Sequence, residues 1–178
     1  MKHHDFFELF VDELEDMYSS ESQIIESLPK LIKIASLPDL KEALTHHLAE
    51  TKNQVDRLDE IFSILDITPK GKTCKAMEGL LLEADEIVKK KVKSPVLDAA
   101  IISAAQKVEH YEIASYGTLR SFAKQLELND RVADLLTEIL DEEGGANKKL
   151  TKIAEGSFFL TGVNAAAVEK GKKLHDKK

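Results

Sequence analysis

Residues 7–31, FELFVDELEDMYSSESQIIESLPKL, decide the fold of this chain. Their large apolar residues recur at alternating steps of three and four, which is the spacing of one face of an α-helix; these residues are Phe7, Phe10, Leu14, Met17, Ile24, Leu28 and Leu31. Glu21 falls on the same face, where an apolar residue is expected. The stretch therefore predicts a long helix over about residues 5–35, kinked at Pro29, with one carboxylate on its buried side.

The same periodicity returns along most of the chain. It predicts three more long helices and two short ones, over about residues 38–66, 95–125 and 130–155, and over about 75–91 and 165–172. Ser36 and Ser94 each lie shortly before a proline and are predicted helix caps. The turn residues at 68–71 and Gly156 are predicted to end the second and fourth long helices.

Four long amphipathic helices bury their apolar faces best as a bundle. Short turns join the first pair and the second pair, whereas the connection over about residues 67–94 is long enough to cross the bundle from end to end. The predicted fold is therefore all-α, a ferritin-like four-helix bundle with a long crossover that carries a short extra helix. The alternative is a plain up-down bundle with one additional helix. A single domain is predicted over residues 1–165, followed by a tail over 166–178.

Composition and charge exclude several classes of protein. With a net charge of -7 and a pI of about 5.4, the chain lacks the basic character typical of nucleic-acid-binding proteins. No stretch approaches the roughly 18 apolar residues of a membrane helix, and Asp5 and Glu8 interrupt any signal-peptide core. Cys74 is the single cysteine, so no internal disulfide is possible. We interpret it as a small buried apolar residue in a cytoplasmic protein.

Each predicted long helix carries a carboxylate on or beside its apolar face, close to its middle; the five candidates are Glu21, Glu50, Glu109, Glu112 and Glu143. Glu21 and Glu50 lie about equally far from the turn that joins their helices, and so do Glu112 and Glu143. Antiparallel hairpins of this kind bring such residues to the same height. The sequence therefore predicts a ring of carboxylates near the middle of the bundle.

Buried carboxylates without partners are costly, so a ring of them calls for cations. The nearest arginines, Arg57 and Arg120, are expected about two helical turns away. Two divalent ions would neutralise four or five carboxylates, and bundle proteins hold two irons or two manganese ions in this way. Chance is the alternative explanation, because the chain has 32 Asp and Glu residues. Glu50 in particular could point to water, with Thr51 facing inward.

Several stretches resemble the YciF-like family of bacterial stress-response proteins, a branch of the ferritin-like superfamily. They occur in the same order and with similar gaps, at residues 16–23 (DMYSSESQ), 47–51 (HLAET), 57–58 (RL), 74–80 (CKAMEGL), 109–112 (EHYE) with Tyr116, and 140–143 (LDEE). The likeness extends over about residues 5–165. It implies a ferritin-like bundle that forms a homodimer. The charge and hydropathy described above predict no nucleic-acid or membrane partner.

A wider resemblance to rubrerythrin implies the roles of the five glutamates. That family places a Glu on helix one, Glu-x-x-His on helices two and four, and Glu-x-x-Glu on helix three. All five glutamates match, but the histidine positions hold Asn53 and Ala146. Whether His47, Gln54 or Asn147 supplies the missing ligands stays open. The resemblance implies two divalent metal ions, iron or manganese, and an oxygen-rich site favours the harder ions.

Two functions compete at this point. The first is a stress-defence metalloprotein that uses a di-metal centre to act on peroxide or oxygen. The second is a non-enzymatic bundle with a vestigial site, whose helix faces serve dimerisation or partner binding. Nucleotide-binding loops, nucleophile elbows and zinc motifs are absent from the sequence. The motifs therefore do not decide between the two functions, and whether the protein is an enzyme stays open.

Overall fold

The computed structural model describes residues 2–89, 93–157 and 160–175, and these residues form an all-α bundle. The helices are α1 (Lys2–Ile34), α2 (Pro38–Ile64), α3 (Lys75–Val88), α4 (Pro95–Gln125), α5 (Asp130–Glu155) and α6 (Val163–His175). A two-stranded antiparallel hairpin, β1 (Gly156–Ser157) and β2 (Leu160–Thr161), follows α5. The four predicted long helices are therefore confirmed. α1 continues through Pro29, and the predicted end of α3 at Lys91 lies outside the described residues.

Two apolar clusters fill the core, one at each end of the bundle. The lower cluster contains Phe10, Leu14, Met17, Leu58, Ile61, Phe62, Tyr116, Leu119, Ala123, Val132, Leu135, Leu136 and Ile139. The upper cluster contains Ile24, Leu28, Leu31, Ala35, Leu40, Leu44, Cys74, Met77, Leu97, Ile101, Ile102, Ala105, Val108, Leu150, Ala154 and Val163. Each long helix contributes one end to each cluster.

The clusters give the direction of every helix. α2 begins in the upper cluster and ends in the lower one, and α4 does the same. The connection between them, which carries α3, therefore travels the length of the bundle. This is the ferritin-like arrangement. α3 has 14 residues and packs only in the upper cluster, so it is part of the crossover and not a further full-length helix of an up-down bundle.

The helix ends differ in part from their predicted signals. Ser94 caps α4 as expected, because its hydroxyl accepts a hydrogen bond from Leu97 N at 3.2 Å. The prediction for Ser36 was wrong: α2 has Leu37 as its cap residue and no side-chain cap. α2 also ends before the predicted turn at 68–71, because the chain turns at Asp66, which has a left-handed backbone with φ of 53°.

The buried face of α2 is rotated relative to the apolar pattern. His47 and Gln54 are buried, whereas Leu48 and Val55 are only half-buried. Thr51 is fully buried between them. The middle of α2 therefore turns polar side chains toward the core, at the height where the two apolar clusters separate.

The C-terminal segment packs on the bundle. Gly156 ends α5 as predicted, with φ of 81°, and a Cβ on it would lie 2.4 Å from Gly162 N, so a side chain does not fit. α6 then lies against α4 and α5. The predicted boundary between residues 165 and 166 falls inside α6, and the last three residues of the predicted tail lie outside the described part of the chain. None of the helices described is sufficiently long and apolar to span a bilayer.

Candidate metal centre

Four of the five predicted carboxylates lie in the layer between the two apolar clusters. Glu21, Glu112 and Glu143 have no exposed surface, and Glu109 is 1% exposed. They come from α1, α4 and α5, and on each helix the lower-cluster residues lie to one side and the upper-cluster residues to the other. These side chains therefore lie at the same height along the bundle, as their equal distances from the hairpin turns predicted.

The most compact group of ligand atoms includes a histidine. His47, Glu109, Glu112 and Glu143 each offer one atom, and these four atoms all lie within 4.8 Å of one another. His47 Nε2 lies 3.5 Å from Glu109 Oε1. Glu21 lies beside this group: it forms a hydrogen bond with Glu112, and the charge of Glu143 acts on its pKa. We call these five residues, His47, Glu21, Glu109, Glu112 and Glu143, the carboxylate centre.

The carboxylate centre is short of hydrogen-bond partners. Nine buried side-chain atoms in the described residues have none within the protein, and seven of them belong to the centre: one oxygen each of Glu21, Glu109 and Glu143, both oxygens of Glu112 and both nitrogens of His47. A native protein leaves few such groups, and a concentration of them at one point indicates a missing ion or water.

Burial and mutual repulsion favour the protonated forms of Glu21, Glu109 and Glu112 in the absence of metal. Burial raises the pKa of Glu21 to about 8, and the nearby charge of Glu143 adds to the effect, whereas the hydrogen bond from Tyr116 opposes it. The pKa values of Glu109 and Glu112 are raised well above their ordinary range, first by burial and then by neighbouring carboxylates. A bound cation would relieve both causes.

Polar residues around the centre hold its carboxylates in place. The fully buried Tyr116 donates its hydroxyl to Glu21. Gln54 Nε2 donates to Glu143 Oε1 at 2.5 Å and to Glu142 Oε2 at 3.0 Å. Arg57 donates to both oxygens of Glu142, at 2.8 and 2.7 Å. Arg57 also lies 3.2 Å from Glu138 Oε2, so its charge is paired with both Glu138 and Glu142. Among the described residues, no Lys or Arg side chain forms an ion pair with the glutamates of the centre.

Glu50 lies at the rim of the centre. Its side chain is 24% exposed, and its Oε2 lies 2.9 Å from His46 Nδ1 and 4.0 Å from His47 Nδ1. Thr51 takes the inward position beside it. The ligand role predicted for Glu50 stays a prediction, and the carboxylate already has an imidazole neighbour at the surface.

The two amide candidates are placed differently. Asn147 accepts a hydrogen bond from Gln106 at 3.1 Å, so its oxygen is engaged away from the centre. Gln54 lies at the centre, where its amide nitrogen donates to carboxylates and its oxygen has no partner. The spacing of His47 three residues before Glu50 is the sequence signal that a histidine could approach the centre from this helix.

The donor set fits a divalent transition metal. Carboxylate oxygens suit manganese and iron, and an imidazole adds affinity for the later first-row metals. The group within 4.8 Å is compact enough to surround one ion, and Glu21 beside Glu112 offers further oxygens. The residues present therefore fit the group that the rubrerythrin resemblance implies, although with one imidazole instead of two.

Cys74 lies outside the centre and is more than a small apolar side chain. It is fully buried, its sulfur accepts a hydrogen bond from Met77 N at 3.3 Å as the cap of α3, and it lies 3.1 Å from the Tyr111 hydroxyl. Burial raises the pKa of the thiol. A protonated, buried thiol is a structural group rather than a reactive one.

Comparisons with known proteins support the resemblance drawn from the sequence. A family model described as a domain of unknown function, DUF892, matches residues 5–167. The protein YciF of Escherichia coli strain K12 is 45% identical over 148 residues, which are 83% of this chain and 89% of that protein.

Solved structures share the fold. The crystal structure of the E. coli stress protein YciF matches with a TM-score of 0.79 and 44% identity, covering 83% of this chain and 92% of that one. YcfI from Rhodopseudomonas palustris, provisionally described as a structural protein, matches with a TM-score of 0.80 and 46% identity, covering 84% and 94%. A protein from Xanthomonas campestris pv. campestris, with 19% identity and a TM-score of 0.69 over 94% and 97%, shows the likeness of fold alone.

Proposed function

The chain belongs to the DUF892 family, and from that premise we propose that it is a stress-response protein whose carboxylate centre holds two divalent metal ions, iron or manganese. The observation that carries the proposal is the collection of buried acids in which five carboxylate oxygens have no hydrogen-bond partner: one each of Glu21, Glu109 and Glu143, and both of Glu112. Ionised carboxylates in such a place are expensive unless they are paired or bind metal.

The residues divide into two sets. His47, Glu109 and Glu143 would hold one ion together with Glu112. Glu21, which is fully buried beside Glu112, would contribute to holding the other. When bound, iron or manganese supplies redox chemistry toward peroxide or oxygen.

Hydrogen bonds from neighbouring side chains orient the carboxylates that would bind the ions. Tyr116 fixes the orientation of Glu21, and Gln54 fixes that of Glu143. The apolar clusters above and below lower the local polarity, which strengthens the attraction between carboxylates and a cation. Hydrogen bonds from surrounding residues that orient the ligand carboxylates raise metal affinity.

The proposal is tested by metal content. Protein purified without chelators or affinity-column metals is analysed for its elements and then titrated with ferrous iron and with Mn²⁺. We expect about two ions per chain, and their loss in the Glu21→Ala, Glu112→Ala double variant. A matched control replaces the exposed Glu26 and Glu155 by Ala and should keep both ions. Absence of any tight transition-metal binding to the parent protein would refute the proposal.

A second candidate is a non-enzymatic structural protein. It is favoured by the provisional description of YcfI and by the absence of the two Glu-x-x-His histidines. We propose a homodimer under either function, and sedimentation at several concentrations tests it. Stoichiometric metal together with metal-dependent consumption of hydrogen peroxide would favour the stress-defence function. Metal-free protein with full biological activity would favour the structural one.

A further inference from the structure

A cleft between α2 and α5 leads from the surface to the carboxylate centre. It encloses about 380 Å³, and its lining includes both His46 at the surface and His47 and Glu109 of the centre. The His47 side chain is 7% exposed and that of Glu109 is 2% exposed, and polar atoms of both have no hydrogen-bond partner. Two unsatisfied, buried ligand groups thus face the inner end of an open cavity.

Metal-binding atoms follow one wall of the cleft at short intervals. His46 Nδ1, at the mouth, lies 2.9 Å from Glu50 Oε2, and that oxygen lies 4.0 Å from His47 Nδ1. His47 Nε2 lies in turn 3.5 Å from Glu109 Oε1. The side chain of His46 is 62% exposed and that of Glu50 24% exposed, so exposure falls steadily along this series. A cation could exchange one ligand for the next without ever losing protein contact.

The opposite wall is kept open by small residues in the middle of a helix. Gly145 and Ala146 of α5 line the cleft. A glycine inside a helix costs roughly 1 kcal/mol relative to alanine, and packing does not require this one, because a Cβ on Gly145 would meet nothing within 4 Å. The space that a side chain would fill is the cleft itself.

The charge of the lining selects the class of ligand. Four carboxylates line the cleft, Glu50, Glu109, Asp141 and Glu142, against one ammonium, that of Lys149. Arg57 neutralises Glu142, and burial raises the pKa of Glu109, so Glu50 and Asp141 are the acids that remain in excess over Lys149. Clefts lined by one sign of charge concentrate ions of the opposite sign and hasten their association.

We propose that this cleft is the entry route for divalent cations to the carboxylate centre, and that His46 and Glu50 form its capture site. The proposal rests on the metal centre proposed above. It gives Glu50 a different task from the one its position in the sequence suggested, namely to pass ions inward from the surface.

The test measures the rate of metal uptake separately from its extent. Metal-free protein is mixed with Mn²⁺ in a stopped-flow instrument, and a fluorescent indicator reports the free ion. Gly145→Leu places a side chain in the cleft and improves helix propensity, so folding should be preserved. Gly144→Leu is the matched control, because that residue does not line the cleft and its Cβ would also meet nothing within 4 Å.

We expect uptake to slow by about tenfold or more in Gly145→Leu, the low end of the rate enhancement that a charged cleft gives, while the final number of bound ions stays that of the parent. Gly144→Leu should load at the parental rate, and His46→Gln should load more slowly at low Mn²⁺ only. Parental uptake in Gly145→Leu, or equal slowing in both glycine variants, would overturn the entry route and leave the metal centre standing. A parent protein that takes up no Mn²⁺ or iron would overturn both.

Discussion

At the scale of a single residue, Glu112 shows that the centre lowers the stability of the fold. Both of its carboxylate oxygens are buried without a partner, at a position where the helix pattern calls for an apolar side chain. Native proteins tolerate such groups chiefly where function needs them, because replacing buried charges by apolar residues of similar size is often stabilising.

The variant Glu112→Leu should therefore separate stability from metal binding. We expect the chelator-treated variant to be more stable than the chelator-treated parent by about 1–4 kcal/mol, while metal no longer stabilises it. Urea unfolding with and without Mn²⁺ measures both effects. A variant that is less stable than the parent without metal would contradict this expectation, because it would show that Glu112 has stabilising hydrogen bonds in the metal-free protein.

The raised pKa of Glu21 leads to a pH dependence of the metal-free protein. The unfolded carboxyl titrates near its ordinary value of 4.5, and burial raises the folded pKa to about 8. The folded state therefore binds more protons in this interval, and its stability falls as pH rises from about 5 to above 8. Glu109 and Glu112 act in the same direction.

Urea midpoints of chelator-treated protein at pH 6 and pH 8.5 test this expectation, and the midpoint should be lower at pH 8.5. The metal-loaded protein should show the opposite trend, because metal binding displaces protons from its ligands. A metal-free protein of constant stability over this interval would contradict the raised pKa.

Sequence periodicity and spacing predicted four of the five candidate glutamates correctly as buried residues, and they could not predict the orientation of α2. Glu109 lies three residues before Glu112 and therefore shares its face. Glu21, Glu112 and Glu143 occupy positions otherwise filled by large apolar residues, so the pattern alone points them inward. On α2 the apolar and polar stripes run side by side, and the rotation that buries His47 instead of Leu48 depends on packing against α1 and α5. No spacing rule within α2 contains that information.

At the scale of an element, Asp98 ties the α1–α2 turn to the start of α4. It is 3% exposed, and it accepts hydrogen bonds from Ser36 N at 2.7 Å, from Ser36 Oγ at 2.5 Å and from Leu37 N at 3.1 Å. Asp98 thus binds the free N–H groups before α2, the role that the sequence predicted for the side chain of Ser36. Because the partners lie about 60 residues apart in the chain, local cap signals could not predict it.

Asp98→Ala should destabilise the protein by about 2–4 kcal/mol, since it removes three hydrogen bonds to a buried charged group. Asp39→Ala, at an exposed acid in the first turn of α2, is the control and should cost less than about 1 kcal/mol. Denaturant unfolding of both variants provides the comparison. Equal and small effects would mean that the turn is held by its backbone alone.

The helix order and the long crossover were predictable because they depend on long apolar repeats and on the length of one connection. The end of α2 was less predictable. After α2 and after α4 the chain turns at a residue with a left-handed backbone, Asp66 and Glu127, with φ of 53° and 52°. α4 ends at Gln125, as predicted, whereas α2 ends at Ile64. Asp66 is not a glycine, so the usual signal is missing and the turn was predicted at the Pro and Gly at 69 and 71.

For the whole molecule, the centre joins all four long helices, so metal should act on global stability. At a free Mn²⁺ concentration of about one hundred times Kd, a single bound ion adds about 3 kcal/mol, which corresponds to roughly 5–10 °C in Tm for a chain of this size. Thermal unfolding with Mn²⁺ against a chelator measures the shift. The Glu21→Ala, Glu112→Ala variant should show none, and an equal shift in that variant would assign the effect to surface binding.

The separation of the apolar core into an upper and a lower cluster has a consequence for how the molecule unfolds. Each cluster has its own set of apolar contacts, and the polar layer between them, with seven buried atoms that lack hydrogen-bond partners, adds little cohesion when no cation is bound. The two ends of the metal-free bundle should therefore open independently, each with its own hydrogen-exchange protection. A pair of ions would make the polar layer cohesive, so that the two ends exchange together and the bundle unfolds as one unit.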